Sequence, residues 1–223
     1  MTTDHHAQQH HTPDRVGLVL HNPIRYDLRL LMHTLGREGK FRRRLVELAG
    51  VGPGDSVLDV GCGTGSLAIA AAKVVGNSGS VVGIDPSPEF IVRAAKKAGR
   101  ATNIRFLNGA AQHLPFDDTS FDVVVSTFVL HQLPPESWHQ VKAEVARVIK
   151  PGGKLLLVDI GGEQTSTNTP HVRAAHRHGV HLFDLRDVAP TLASVGLIAR
   201  EEGDLPYKLF RFERVQYVLA DKQ

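Results

Sequence analysis

The chain is expected to be an α/β protein with a doubly wound sheet and helices on both faces, and three observations support this. First, the apolar run Val57-Leu58-Asp59-Val60 ends in three glycines at alternate positions, Gly61, Gly63 and Gly65. A buried strand that enters a tight turn and opens a helix has this form, because glycine accepts left-handed backbone and close ligand approach. Second, the run Val81-Val82-Gly83-Ile84 ends in Asp85, twenty residues after the last glycine. A carboxylate there can accept hydrogen bonds from both hydroxyls of a ribose. Third, strand-like and helix-like segments alternate through the remaining chain, as right-handed crossovers between parallel strands require. Together these features describe a nucleoside-binding crevice at the carboxyl ends of the strands.

The elements follow in order. Residues 1–21 begin with His5, His6, His10 and His11 among Gln, Thr and Asp. Nothing early in that stretch can bury a face, so a tail without fixed structure is expected rather than a metal site. Over residues 22–50, Leu28, Leu31, Met32 and Leu35, then Leu45, Val46 and Leu48, recur at helical spacing, with Gly36 and Gly39 as a break. A helical cover over the crevice mouth is expected there. Tyr26 and Asp27 are candidates to contact a ligand or, equally, to anchor the helix.

The main domain is expected over residues 51–223. Helices are expected at 67–75, 88–99, 138–149 and 185–195, and strands at 80–85, 104–107, 123–126 and 154–159. Pro151-Gly152-Gly153 reads as a sharp turn before the last of these strands. A loop carrying His171, His176, His178 and His181 follows; a polar loop gives metal little shielding, so no metal is expected there either. Segments 196–202 and 212–219 close the sheet. In the latter, Val215, Tyr217 and Leu219 alternate with Arg214, Gln216 and Val218, which suggests a strand less buried than the parallel ones.

Composition narrows the function classes. A chain of 223 residues, 42% hydrophobic, can bury a single sizeable core. The formal net charge is only +3, and aromatics make up 6%. The basic run Arg37, Lys40, Arg42, Arg43 and Arg44 is local and reads as a solvated helix face, so no nucleic-acid partner is expected. The single cysteine, Cys62, excludes an internal disulfide and points to a reducing, cytoplasmic location. No apolar run is long enough to cross a bilayer, and the polar start is not a signal peptide. Oligomeric state is not legible.

The glycine turn bears on the ligand. A dinucleotide loop is written G-x-G-x-x-G, whereas this one is G-x-G-x-G, with Asp59 two residues before its first glycine. An acid is unwelcome beside a pyrophosphate but suits a cationic ammonium, which favours S-adenosylmethionine over NAD. Four further motifs follow in order: Asn108-Gly109-Ala110-Ala111-Gln112-His113-Leu114-Pro115-Phe116, Phe121-Asp122-Val123-Val124-Val125-Ser126, Val129-Leu130-His131-Gln132-Leu133 and Ile149-Lys150-Pro151-Gly152-Gly153-Lys154-Leu155. On these residues the chain, from about 55 to 159, resembles the class I S-adenosylmethionine-dependent methyltransferases, especially the ubiquinone and menaquinone biosynthesis (methyltransferase type 11) group.

The resemblance implies a Rossmann-like, seven-stranded mixed sheet whose last strand is inserted antiparallel. It implies S-adenosylmethionine as cofactor and a small-molecule or lipid-like methyl acceptor. It assigns cofactor contacts to Asp59, Gly61, Gly63, Thr64, Gly65, Asp85, Ala110, Ala111 and Thr127. Asp59 either faces the ammonium or fixes the loop; Thr64 either caps the helix or touches the ligand. Many relatives carry an acid or Asn at the position of Ala110 to meet the adenine amine. Alanine cannot make that contact, which leaves backbone around Ala110 and Ala111, or Gln112. Ser126 and Phe128 lie where the methionine portion would rest. His131 is the one catalytic candidate, as a proton acceptor, with loop ordering as the alternative role. An NAD-dependent oxidoreductase and a non-catalytic cofactor-binding regulatory protein are the two rival classes.

Overall fold

The computed structural model describes residues 17, 19–33, 36–161, 184–206 and 214–223. Both histidine clusters, and Leu35 and Phe212 of the expected elements, lie outside the described residues.

Helices α1 (Pro23–His33) and α2 (Glu38–Leu48) precede the sheet. Strand β1 (Ser56–Val60) then leads through the glycine turn into α3 (Ser66–Val75), followed by β2 (Ser80–Asp85), α4 (Pro88–Ala98) and β3 (Ile104–Asn108). Strand β4 (Phe121–Thr127), α5 (Trp138–Val148), β5 (Ile149–Gly161), α6 (Leu185–Leu192), β6 (Leu197–Leu205) and β7 (Arg214–Lys222) complete the described chain. The seven strands form one sheet in the order β3-β2-β1-β4-β5-β7-β6. The first five are parallel, and β7 runs antiparallel to both β5 and β6. The mixed sheet with an inserted last strand is thus as expected.

Alternating side chains of the central strands feed two cores. Leu58, Val60, Val124, Leu155 and Leu157 face Val141 and Val145 of α5 and Val188 and Leu192 of α6. Val57, Val81, Val123 and Val125 face α2 and α3 through Phe41, Leu45, Leu67, Ala71 and Val75. Apolar residues on both faces are what a parallel strand covered on both sides needs. Each fully buried Leu or Val contributes roughly 1.5–3 kcal/mol, so the strand ends that carry the site rest on a rigid base.

Three expectations are corrected. The face of α1 that packs inward is Tyr26 and Leu30, the latter 1% exposed; Leu28, Leu31 and Met32 are 54%, 53% and 60% exposed. The leucine spacing is helical but marks the outer face, because Tyr26 meets Phe90 edge-on at 5.3 Å and Asp27 is tied to the glycine turn and α4. Strand β7 is well buried at Val215, Gln216, Val218, Leu219 and Ala220, since it lies inside the sheet. The exposed strand is β6 at the edge. Finally, Pro151-Gly152-Gly153 lies within β5, which begins at Ile149; the pairing with β4 shifts register between Phe121 and Val123 to accommodate it. A Cβ on Gly153 would stand 2.8 Å from the Asp122 carbonyl oxygen, so that detour needs glycine.

Candidate active site

The register puts Val60 beside both Ile84 and Ser126, so the loops after β1, β2 and β4 leave the same sheet edge as neighbours. They form a cleft lined by Gly61 and Gly63, then Asp85 and Pro86, then Gly109, Ala111 and Gln112. Its remaining wall is Thr127, Phe128, Val129, Gln132 and Leu133, and Val19, Leu20, Tyr26 and Phe90 border it.

The glycine turn is shaped by backbone. Gly61, Gly63 and Gly65 have φ of 71°, 55° and 77°, a left-handed run that L side chains resist. The amides of Gly61 and Cys62 both donate to the Ile84 carbonyl, at 2.8 and 3.0 Å, which locks the turn to β2. A Cβ on Gly61 would fall 2.2 Å from Val129 Cγ2. Gly65 serves a different purpose from the other two. A Cβ there would meet the Phe106 ring and Ala94 at 2.8–2.9 Å, so it lets α3 pack closely and does not line the cleft. Cys62 is buried beside it, and burial pushes its thiol well above the usual range, so it contributes packing.

Asp85 stands at the rim. Its Oδ2 accepts from the Gly63 amide and its Oδ1 from the Ser87 amide, each at 2.9 Å. Burial raises its carboxyl above the ordinary value against the pull of those two amides. Each oxygen retains acceptor capacity for a vicinal diol. Thr64 neither caps α3 nor lines the cleft. Its hydroxyl donates to Asp27 Oδ1 at 2.6 Å, and the N-cap of α3 is Gly65. Asp27 also receives Arg93 Nε at 2.8 Å and Lys97 Nζ at 3.3 Å. Burial acts to raise the Asp27 carboxyl, but Thr64, Arg93 and Lys97 outweigh it and hold it below the ordinary value. Asp27 therefore straps α1 to the glycine turn, which is the anchoring alternative for this residue.

Asp59 is 1% exposed and lies under the turn, off the cleft wall. Neither of its oxygens has a well-formed hydrogen bond among the described residues. Burial pushes its carboxyl up to about 7, against the opposing charge of Arg42 and the Ala68 backbone amide. Arg42 is itself buried. Its Nη1 donates to Thr127 Oγ1 at 3.3 Å and its Nε lies 3.5 Å from Glu38. The basic run had suggested a solvated face for Arg42. Its place between Phe41 and the Leu45-Val46 pair, at the spacing of the inward stripe, was the signal for burial.

On the β3 side, Ala111 is on the wall while Ala110 stands behind it and accepts from the His113 amide at 3.2 Å. This loop is pinned by α5: Arg147 donates to the carbonyls of Leu114 and Phe116 at 3.0 and 2.7 Å, and Glu144 accepts from the Leu114 amide at 2.8 Å. On the β4 side, Ser126 Oγ donates inward to the Val60 carbonyl at 3.1 Å, whereas Thr127 reaches the cleft. His131 is one layer back from the wall. Its Nδ1 lies 2.6 Å from Asp159 Oδ1, its backbone amide donates to Asp159 Oδ2 at 3.2 Å, and Gln132 takes the wall position. Asp159 and Gln132 escaped the sequence reading. Asp159 ends an apolar strand just as Asp59 and Asp85 do near the ends of theirs, and that repetition was available as a signal.

A glycine turn closed onto the neighbouring strand, a rim carboxylate and a sheet with its last strand inserted antiparallel define a class I methyltransferase fold. Comparison with known proteins agrees. Residues 57–153 match the methyltransferase domain family. Demethylmenaquinone methyltransferase of Shouchella clausii is 36% identical over 137 residues, which cover 60% of this chain and 57% of that protein. The enzyme of the same name from Lactobacillus johnsonii is 39% identical over 138 residues, 60% and 55% of the two chains. The chain thus aligns with somewhat more than half the length of these relatives. Among solved structures, a geranyl diphosphate methyltransferase in complex with S-adenosylmethionine superposes with a TM-score of 0.73 at 18% identity, covering 89% of this chain and 90% of that one. A methyltransferase from Aquifex aeolicus gives 0.69 at 20% identity, covering 92% and 100%. Residues 57–153 thus match a methyltransferase domain, set in a fold shared with S-adenosylmethionine-dependent methyltransferases.

Proposed function

We propose that the protein transfers the methyl group of S-adenosylmethionine to a small acceptor with an apolar frame, of the kind for which its demethylmenaquinone methyltransferase relatives are named. The observation that carries this is Asp85, held at the cleft rim by the Gly63 and Ser87 amides with acceptor capacity left over. The donor set fits the cofactor: a carboxylate for the ribose, side-chain-free backbone at Gly61 and Gly63, and a wall at Ala111 and Gln112 against which a base can lie. When bound, the cofactor supplies a methyl group on a sulfonium, already joined to a good leaving group. The chain then has to position and to exclude water. Asp85 orients the sugar, Gly61 and Gly63 admit the amino-acid portion, Thr127 borders it, and Val19, Leu20 and Tyr26 cover the mouth. Alignment of this kind contributes roughly 7–11 kcal/mol of barrier lowering, which is why a legible cofactor site needs few catalytic side chains.

Asp59 lies buried beneath the turn and, when ionised, would add negative charge under a cationic ligand. A core domain over residues 51–223 under a helical cover at 22–50, and a cytoplasmic location, belong to the same proposal. Among the described residues, no helix is long and apolar enough to cross a membrane.

The test is transfer of a labelled methyl group from S-adenosylmethionine to reduced, short-chain demethylmenaquinone. The expected outcome is incorporation by the wild type and at least a tenfold loss in Asp85→Ala. Tight cofactor binding with no transfer to that quinol or to a panel of phenols and amines would favour the non-catalytic alternative. The assay must read transfer, because a [4+2]-cyclase also shares this fold, with a TM-score of 0.68 at 20% identity.

A further inference from the structure

The hydrogen-bond chain behind the β4 wall ends in an atom that the cofactor site does not use. Asp159 is 1% exposed, and its Oδ1 lies 2.6 Å from His131 Nδ1. A carboxylate only accepts, so Nδ1 carries a hydrogen, and in the neutral ring Nε2 is left as an acceptor. The neighbour of Nε2 is the Gln132 side-chain nitrogen at 3.3 Å, and that nitrogen also donates to the Phe128 carbonyl at 3.1 Å. Both amide hydrogens of Gln132 are therefore consumed on the inner side, by two acceptors that only a nitrogen can satisfy. This assigns the amide: nitrogen inward and Oε1 outward. Among the described residues no donor reaches that oxygen within hydrogen-bond distance, and Gln132 borders the cleft.

The anchor is built at some expense in backbone strain. Phe128 has φ of 60°, a left-handed conformation rare for a bulky residue. In that conformation its amide donates to Val158 at 2.8 Å, its ring stacks near Phe41 with centroids 6.3 Å apart, and its carbonyl holds Gln132. The neighbours of Gln132 along the wall, Val129 and Leu133, are apolar, as are Val19 and Leu20 at the mouth.

We infer that Gln132 is the acceptor-recognition residue: its Oε1, aimed by the Asp159–His131 pair and the Phe128 carbonyl, accepts a hydrogen bond from a hydroxyl or N–H on the methyl acceptor. His131 and Asp159 are then positioning residues that act through Gln132. The inference rests on the proposed methyl transfer and adds the acceptor's chemistry, a donor group on an apolar frame.

The test compares two probes, a 2-alkyl-1,4-naphthohydroquinone and its dimethyl ether, titrated into protein saturated with S-adenosylhomocysteine. The wild type is expected to bind the hydroquinone at least tenfold more tightly than the ether. Gln132→Leu should bring the two affinities within threefold while leaving S-adenosylhomocysteine affinity unchanged. His131→Ala should reduce the discrimination in the same direction, because the amide loses one of its two anchors. In Gln132→Leu the ether should still bind within threefold of its wild-type affinity, so that only hydroquinone binding falls, which separates lost recognition from a collapsed wall. Discrimination that survives in Gln132→Leu, or a wild type indifferent to the ether, would overturn the assignment while leaving the cofactor site intact. Failure of S-adenosylhomocysteine to bind the wild type would instead remove the proposed function beneath it.

Discussion

Asp59 and Asp85 are both acids at the ends of apolar strands, twenty-six positions apart in the chain, yet their surroundings set them to different tasks. Asp85 has two backbone amides and an open rim; Asp59 has buried surroundings and no well-formed hydrogen bond among the described residues. For Asp59 the consequence is measurable. Unfolded, the carboxyl ionises near 3.8; folded, burial holds its proton up to about 7. The folded state binds the extra proton, so this contribution to stability is complete below pH 3.8 and is lost as pH rises through 7. Asp59→Asn never ionises, and it should melt at the same temperature as the wild type near pH 4. At pH 8 it should be more stable, by on the order of 2–4 kcal/mol. Parallel melting curves from pH 4 to 8 would contradict the burial of an unpaired carboxyl. Position relative to the glycines set the two acids apart in the sequence, but their hydrogen bonding could not be read there, because it depends on which amides the folded loops bring near.

Helix α1 shows how an element can be right in type and reversed in orientation. Its leucines recur at helical spacing, but the inward face is decided by Tyr26, Asp27 and Leu30, which meet Phe90, the Thr64–Arg93–Lys97 group and the second core. Polar groups with three partners at fixed positions outweigh the spacing of an apolar stripe, and such partners are invisible before the chain is folded. The strap predicts that Asp27→Ala frees α1. Loss of a half-buried, charge-assisted acceptor costs on the order of 1–2 kcal/mol locally. Amides of residues 23–33 should exchange with solvent at least tenfold faster, and S-adenosylhomocysteine should bind several-fold more weakly. Unchanged exchange across α1 would mean that Tyr26 and Leu30 alone hold it. Strand β7 teaches a related lesson: its alternating pattern matched a half-exposed strand, but insertion between β5 and β6 buries both faces, and only topology reveals that.

Across the whole molecule, the part of the site formed by consecutive residues was legible in the sequence and the part assembled from distant ones was not. The glycine turn, Asp85 and the parallel strands could be read because each is a local pattern with a backbone reason. Arg42 under Thr127 and Asp159 behind His131 join residues 85 and 28 positions apart, and no periodicity encodes such pairings. The fold brings these pieces to one sheet edge, and cofactor binding there is the property on which the rest depends. The most direct measurement is calorimetric titration of S-adenosylhomocysteine into the wild type and Asp85→Ala. One molecule should bind per chain, and the variant should bind at least tenfold more weakly while keeping the wild-type melting temperature within a few degrees. No heat with the wild type, or equal affinity in the two proteins, would contradict the assignment of this cleft.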